Sequence, residues 1–520
     1  MKTLRKENIA LQDSRMPILK QLRRCGTADI FTIVLLLLSL IPLILLVFNR
    51  AFVPFDIDFS QYLHMEIIDR VRTGKPIYVP DGPEYSNGLS YTPLYFWISA
   101  AICKLLGPSL VWPRLVTLAA CFLACALIAS FVWRKTERNL VLSLAAPCFF
   151  VSTYSFMNDW MVSLDVNCLH TTLAILGFFI LVHELSVRSV VAAALVMSLS
   201  MLTKQTGLAY VFAGGILVGI QSRKLAILYA MVALVLLVTS FFWLNLSSRG
   251  EFYRIVISAP ANDPWVISRL FKEVLSAQVF GMFGLMFTMA IIPILLNIKG
   301  GLWDAILKPE YVMCIAGIAV SCIAQPKAGS GETQSLMAFA GLSICGCIGV
   351  YSLSKQMAFA FNSRIVNWYV ILQLTVLFLP AITHFPELLI DDKDRAKYEA
   401  VSNIFRAGKT CFYSFSYLPV VFGQPSSGHA GSGLGLFRKG KSGLDFSTKP
   451  ASLCEPFRRQ EFDYVIIDTG VYPQDPCVKA ILETYRPIAQ LPAHPKGVKY
   501  GNMRFQQIVM QANRILIPLR

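Results

Sequence analysis

Charge is scarce in this chain. Asp, Glu, Lys and Arg make up 15% of its 520 residues against 55% hydrophobic residues, and mean hydropathy is +0.56. A soluble domain of this length needs far more polar surface, so the composition defines an integral membrane protein. Nucleotide signatures are missing as well: there is neither a P-loop nor a GxGxxG, nothing supports nucleotide handling, and no nucleic acid is expected as a partner. No internal repeat is visible. The thirteen cysteines lack the spacing of a disulfide framework, because most sit inside apolar runs where Cys acts as a small hydrophobe. Three lie in the polar C-terminal region, Cys411, Cys454 and Cys477, and one pair can bridge if that region faces an oxidising compartment. His64 and His170 have no second His, Cys or carboxylate at ligand spacing, so they read as structural histidines. The sequence supports no divalent metal and no other cofactor.

The charge that is present is unbalanced. Forty-seven Lys and Arg against 31 Asp and Glu give a net charge of +16, suited to loops facing anionic lipid and to an anionic substrate. Residues 1–28 are polar and basic, which places the N-terminus in the cytoplasm. The run Ile30 to Phe48 is long enough to span a bilayer and has no A-x-A-like cleavage site, so it reads as a retained first span. Pro93 to Leu106 is apolar but short and suits an interfacial or re-entrant helix; with that choice the basic cluster Arg134-Lys135-Thr136-Glu137-Arg138 falls in the cytoplasm. Later apolar runs alternate across the membrane and bring the total to about eleven spans.

The expected architecture is therefore an α-helical multi-pass membrane domain over 29–385, with a first extracytoplasmic loop over 49–112. A soluble α/β domain over 386–520 follows. In that tail, β-rich runs at Thr410 to Phe415 and Phe462 to Ile467 alternate with helical patterns at Lys393 to Arg406 and Cys477 to Tyr485. Gly423 to Gly443 reads as a flexible loop. Residues 391–520 hold eighteen Lys or Arg against eleven Asp or Glu, a balance that suits lipid headgroups or an anionic acceptor.

On this topology the ionisable residues collect at one face. Asp56, Asp58, Asp159, Asp165, Lys204 and Lys327 all fall at extracytoplasmic ends of spans. A transporter places such groups near the bilayer midplane, so their position favours surface chemistry on something delivered in the membrane. A flippase of lipid-linked intermediates and a non-catalytic assembly factor are the competing readings. Each residue also has an ordinary reading: the aspartates flank spans, Asp165 favours the N-terminus of the helix it precedes, Lys204 snorkels, and Tyr91, Tyr95 and Trp97 form an interfacial aromatic belt.

The succession Asp58-Phe59-Ser60-Gln61-Tyr62-Leu63-His64, Gly74-Lys75-Pro76-Ile77-Tyr78 and Tyr91-Thr92-Pro93-Leu94-Tyr95 resembles the first-loop signature of the C-type (GT-C) membrane glycosyltransferases. These include glycosyltransferase family 39, the protein O-mannosyltransferases and the bacterial lipid A aminoarabinose transferases. The resemblance continues through Gly107 to Arg114, Asp165, Leu202-Thr203-Lys204-Gln205-Thr206, Lys327-Ala328-Gly329-Ser330 and the run Phe462 to Ile467. It implies a polyprenyl-phosphate-linked sugar as donor. It also implies an acceptor hydroxyl of a glycan, lipid or protein on the outer side of a bacterial inner membrane. Asp58 matches the family's catalytic base, with Asp56 and Asp165 beside it; the resemblance further implies that Lys204, Lys327 and Gln205 serve the donor phosphate and that Tyr62, His64, Tyr91 and Tyr95 line the substrate pocket. Two departures stand out. Ser163-Leu164-Asp165 replaces the common Arg-x-Asp, and Asp58-Phe59 replaces Asp-Glu, removing an acidic neighbour associated with metal or acceptor binding.

Overall fold

The apolar runs all become helices. In a computed structural model, the described residues are 25–519 without 56, 58, 81–90, 158–159, 297–301, 328–329, 357–361, 384–388, 414–437, 440–442, 445–453, 468–475, 491–497, 501–502 and 506–513. In chain order the helices are α1 Thr27–Ala51, α2 Phe59–Arg72, α3 Leu94–Leu106, α4 Val111–Lys135, α5 Leu140–Val151, α6 Val166–His183, α7 Val187–Thr203, α8 Leu208–Gln221 and α9 Arg223–Ser247. After π-helical turns at Tyr253–Ser258 and Leu270–Met282 come α10 Gly284–Leu296, α11 Pro309–Ala324, α12 Leu336–Gln356, α13 Asn362–Thr383 and α14 Asp392–Ala407.

Among the described residues, five helices are long and apolar enough to cross a membrane, and six if the pair Ile267–Met282 and Gly284–Leu295, bent by 74°, counts as one span. The other runs expected to span coincide with shorter apolar helices such as Val187–Thr203 and Pro309–Ala324. Leu94–Leu106 has only 13 residues, in keeping with the short helix expected there. Burial sorts the long helices: 83% of the apolar window in α12 is buried, against 11% in α9, so α12 forms the centre and α9 lines the periphery. Around α12 the packing uses small residues, as helix contacts in lipid do. Cβ atoms built on Gly341 and Gly349 would meet Cys314 Cα at 2.6 Å and Met289 O at 1.9 Å.

Helix starts are set by short polar side chains that accept from orphan backbone N–H groups. Asn139 accepts from Leu142 N (3.0 Å), Asp165 from Asn167 N (2.7 Å) and Ser222 from Leu225 N (3.4 Å). The first loop builds its own apolar layer: Met65 and Ile68 on α2 pack with Tyr95, Phe96 and Ala100 on α3, and with Phe252 and Val256 beyond α9.

In the tail, Asp391 and Asp394 cap α14 reciprocally, through Asp394 N to Asp391 Oδ1 (3.0 Å) and Asp391 N to Asp394 Oδ2 (3.2 Å). Strands β1 Thr410–Tyr413, β2 Tyr464–Ile467, β3 Tyr485–Gln490 and β4 Arg514–Pro518 form one sheet in the order β1-β2-β4-β3. Only β1 and β2 are parallel; β4 is antiparallel to both of its neighbours. Helix α15, Pro476–Thr484, covers the sheet, and Cys454 and Cys477 form a disulfide in its core beside buried Cys411. Residues 1–24 and most of 423–443 lie outside the described residues; at the end of the latter, Arg438–Lys439 pairs with Gly443–Leu444.

Candidate active site

The site is built where α7 stops. Its C-cap residue, Lys204, turns to extended backbone (φ −156°, ψ 134°), and the short turn Gln205–Gly207 leads into α8. Gly207 permits that close reversal, since a Cβ there would meet Met201 N at 2.5 Å. The reversal leaves Lys204 only 2% exposed, in the connection between two helices and outside both. Its ammonium donates to Asn167 Oδ1 and to Gln334 Oε1 (2.6 Å), and stands 5.3 Å from the centre of the Tyr91 ring.

Asn167 uses every polar atom of its side chain. Besides accepting from Lys204, its Nδ2 donates to Asp165 Oδ1 (2.6 Å) and Thr333 Oγ1 (2.9 Å). Asp165 thus caps α6 and, through Asn167, faces Lys204. Burial raises the Asp165 carboxyl above the usual carboxylate range, opposed by the Asn167 N–H, the Lys204 charge and the side chains of Asn167 and Thr333. Burial pushes the Lys204 ammonium down to about 7, and Asp165 counters only part of that shift.

The first loop reaches the same place. Thr92 Oγ1 donates to Met201 O at the end of α7 (2.8 Å), and Tyr78 OH donates to Tyr91 O (2.9 Å). His64 stacks on Tyr91 (centroids 5.8 Å apart, planes 3° apart) and on Phe96. Tyr95 is fully buried beneath, its hydroxyl 3.1 Å from both Pro113 O and Thr117 Oγ1. His170 is occupied on both ring nitrogens, by Ser200 Oγ (2.8 Å) and Thr206 Oγ1 (3.2 Å).

Lys327, after α11, donates to Pro260 O (2.8 Å), while Arg269 grips the same turn through Lys327 O (3.0 Å) and Ser330 O (2.9 Å). Gln205 Nε2 donates to Val256 O (3.3 Å). The connection from Lys327 to Gln334 therefore carries one lysine at its start and the partner of Lys204 near its end.

Asp56 and Asp58 lie outside the described residues, as do Asp159, Ala328, Gly329 and the Tyr62 side chain. The chain on either side of the two aspartates is held by Arg114. This residue is fully buried, and its guanidinium donates to Val53 O (2.5 Å), Phe55 O (2.6 Å) and Gln61 Oε1 (2.6 Å). The tail closes over this segment: Phe55 packs on Tyr398 of α14 (5.3 Å), and Asn49 pairs with the backbone of Ile390 (2.7 and 3.3 Å). Asn167, Thr333, Gln334 and Arg269 were not singled out from the sequence. Neutral amides give no charge signal, and Arg269 stands among ordinary loop cations. Among the described residues no three His, Cys, Asp or Glu side chains cluster as a metal would require.

This arrangement, a helical bundle with a helical first loop and a small α/β tail at one end, is the C-type glycosyltransferase fold. The chain superimposes on apo ArnT from Cupriavidus metallidurans with a TM-score of 0.57 at 12% identity, covering 94% of this chain and 97% of that one. The same protein bound to undecaprenyl phosphate gives 0.55 at 12% identity, covering 93% and 97%. No family model and no curated protein matches the sequence.

Proposed function

We propose that this protein is an integral-membrane glycosyltransferase that moves a sugar from a polyprenyl-phosphate donor to a hydroxyl group of an extracytoplasmic acceptor, inverting the anomeric centre. The observation that carries this reading is the buried Lys204 ammonium, joined through Tyr91 and Thr92 to the first loop that bears Asp56 and Asp58 in sequence. A cation and carboxylates at one end of an apolar bundle suit an anionic lipid headgroup presented from the bilayer. Binding of undecaprenyl phosphate by ArnT, a protein of the same fold, supports the donor class.

In the reaction, Asp58, with Asp56 as the near alternative, takes the proton of the acceptor hydroxyl while its oxygen bonds to the anomeric carbon. The bond from that carbon to the phosphate oxygen breaks, and the lipid phosphate leaves with the electron pair. Such a leaving group needs positive charge and no proton, which Lys204 and Lys327 supply, with Gln205 beside them. Asp165 supports Lys204, and Tyr62, His64, Tyr91 and Tyr95 shape the pocket. The tail, 386–520, faces the extracytoplasmic side with the site and the N-terminus faces the cytoplasm. The Cys454–Cys477 disulfide and the packing of α14 against Phe55 support that assignment.

Purified Asp58→Asn and Asp56→Asn proteins test the mechanism against wild type with a polyprenyl-phosphate sugar. Loss of transfer in Asp58→Asn with retained folding is expected. Wild-type rates in both variants would remove the proposed base.

A further inference from the structure

Among the described residues, the side chains that accept from the Lys204 ammonium are both neutral. Buried lysines are ordinarily paired with a carboxylate, because an isolated ammonium in a low-dielectric site is costly. Here the two side chains that accept from the ammonium are the amides of Asn167 and Gln334, from α6 and from the turn Glu332–Ser335 before α12. The third contact is the face of Tyr91. The carboxylate of Asp165 bonds to Asn167 and acts on Lys204 from one residue further away. Near the ammonium, His170 on α6 is taken up by Ser200 and Thr206, and His64 stacks on the Tyr91 ring.

We infer that Asn167 and Gln334 are positioning residues that hold Lys204 in place without neutralising it, leaving its charge for the anionic group of the substrate. This rests on the proposed function above, and it assigns the seat of the cation as the feature that makes the site anion-selective. The physical argument compares two ways of holding an ammonium group. A carboxylate in direct contact supplies the compensating charge itself, so an incoming phosphate gains little and is repelled by the carboxylate. An amide oxygen offers the same hydrogen bond with no net charge. The ammonium is then fixed in direction but short of compensation, and the substrate's negative charge supplies what is missing. Burial driving Lys204 well below its ordinary range is the expected companion of such a seat.

Gln334 is the cleaner residue to change, since Asn167 also bonds Asp165 and Thr333. The test compares Gln334→Glu, which keeps shape and acceptor but adds charge, with Gln334→Met, which keeps approximate size and removes the acceptor. The probe is methyl farnesyl phosphodiester, whose single acidic proton is lost far below neutral pH, so that Lys204 is the group whose protonation is read. Binding to the full-length protein in detergent is measured by calorimetry across a pH series, with melting temperature followed in parallel.

The expected order is inverted relative to a structural role. Gln334→Glu melts at or above the wild-type temperature yet binds the probe at least tenfold more weakly, and the alkaline loss of binding moves to higher pH. Gln334→Met loses less affinity than Gln334→Glu. If instead Gln334→Met binds worse than Gln334→Glu, Gln334 only braces the fold and the inference is overturned. Failure of the wild-type protein to bind the probe overturns the proposed donor class and the inference with it, whereas tight wild-type binding with the structural order of variants overturns the inference alone.

Discussion

Arg114 donates from Nη2 to Oε1 of Gln61 at 2.6 Å, and the same Gln61 oxygen accepts from the backbone N–H of Ile57 at 3.4 Å. With Nη1 on Val53 O and Nη2 also on Phe55 O, one guanidinium satisfies carbonyls left over where α1 ends and fixes the chain that leads into α2. A point-charge ammonium has no such fork. Arg114→Lys is therefore expected to lower sugar transfer at least tenfold and to speed amide exchange at Ile57. Arg114→Met strands the same acceptors at a cost of about 1–3 kcal/mol for each one left unpaired. Hydrogen-exchange mass spectrometry of the peptide spanning 53–61, beside a transfer assay, checks this. Wild-type exchange in Arg114→Lys would show that the guanidinium does not hold the segment.

In the proposed mechanism the Lys204 ammonium sets a pH limit on the reaction. Burial places its titration at about 7, so the cation proposed to meet the donor phosphate predominates below that pH and is lost as pH rises through it. Since kcat/KM reports groups of the free enzyme, it should fall about tenfold per pH unit on the alkaline side of 7. Asp165 draws the Lys204 titration upward, so Asp165→Asn moves the alkaline fall to lower pH. Asn also caps helices well, so the start of α6 is kept. A pH series of kcat/KM for both proteins decides the point; an unshifted limb in Asp165→Asn would separate the two groups.

These residues also mark how far the sequence could be read. Lys204 was visible because an ionisable residue at the edge of an apolar run is conspicuous, and the helices themselves followed from hydropathy: Ile30 to Phe48 lies within Thr27–Ala51, and Val166 to Val182 within Val166–His183. Gln334 was invisible, because a neutral amide 130 positions from Lys204 shows its role only when the fold brings the turn before α12 to the end of α7. Arg114 stood at the end of a recognised stretch, yet nothing local shows that its partners are carbonyls 59 and 61 residues earlier. In the tail, β1 and β2 were legible as β-rich runs. Strand β3 was not, since Pro487 interrupts its pattern at a register break, and β4 comes from the far end of the chain.

The tail disulfide makes the orientation of the chain testable. Cys454 and Cys477 lie 23 residues apart and both are fully buried in the core of the α/β unit. Replacing both by Ser should destabilise the tail by about 2–4 kcal/mol. In denatured protein taken from cells with thiols trapped, Cys411 alone among the tail cysteines should take up a maleimide until reductant is added. Labelling of all three before reduction would mean that the tail folds in a reducing compartment.

The tightest helix contact predicts the largest effect of a single methyl group. A Cβ on Gly349 of α12 would fall 1.9 Å from Met289 O on α10, where the neighbour is backbone and has no rotamer to turn away. The helices must separate, and overpacking of this kind costs about 1–3 kcal/mol or more. Gly219 on α8 is the matched control, because its Cβ would meet Ala226 Cβ at an ordinary 3.8 Å. There the higher helix propensity of Ala contributes up to about 1 kcal/mol in favour of folding. Gly349→Ala should therefore lower the melting temperature in detergent while Gly219→Ala leaves it level or raises it. Because α12 also presents Gln334 to Lys204 from the turn before its first residue, displacement of α12 should weaken donor binding in Gly349→Ala as well. Equal melting temperatures for the two variants would show that α10 and α12 pack less closely than this contact requires.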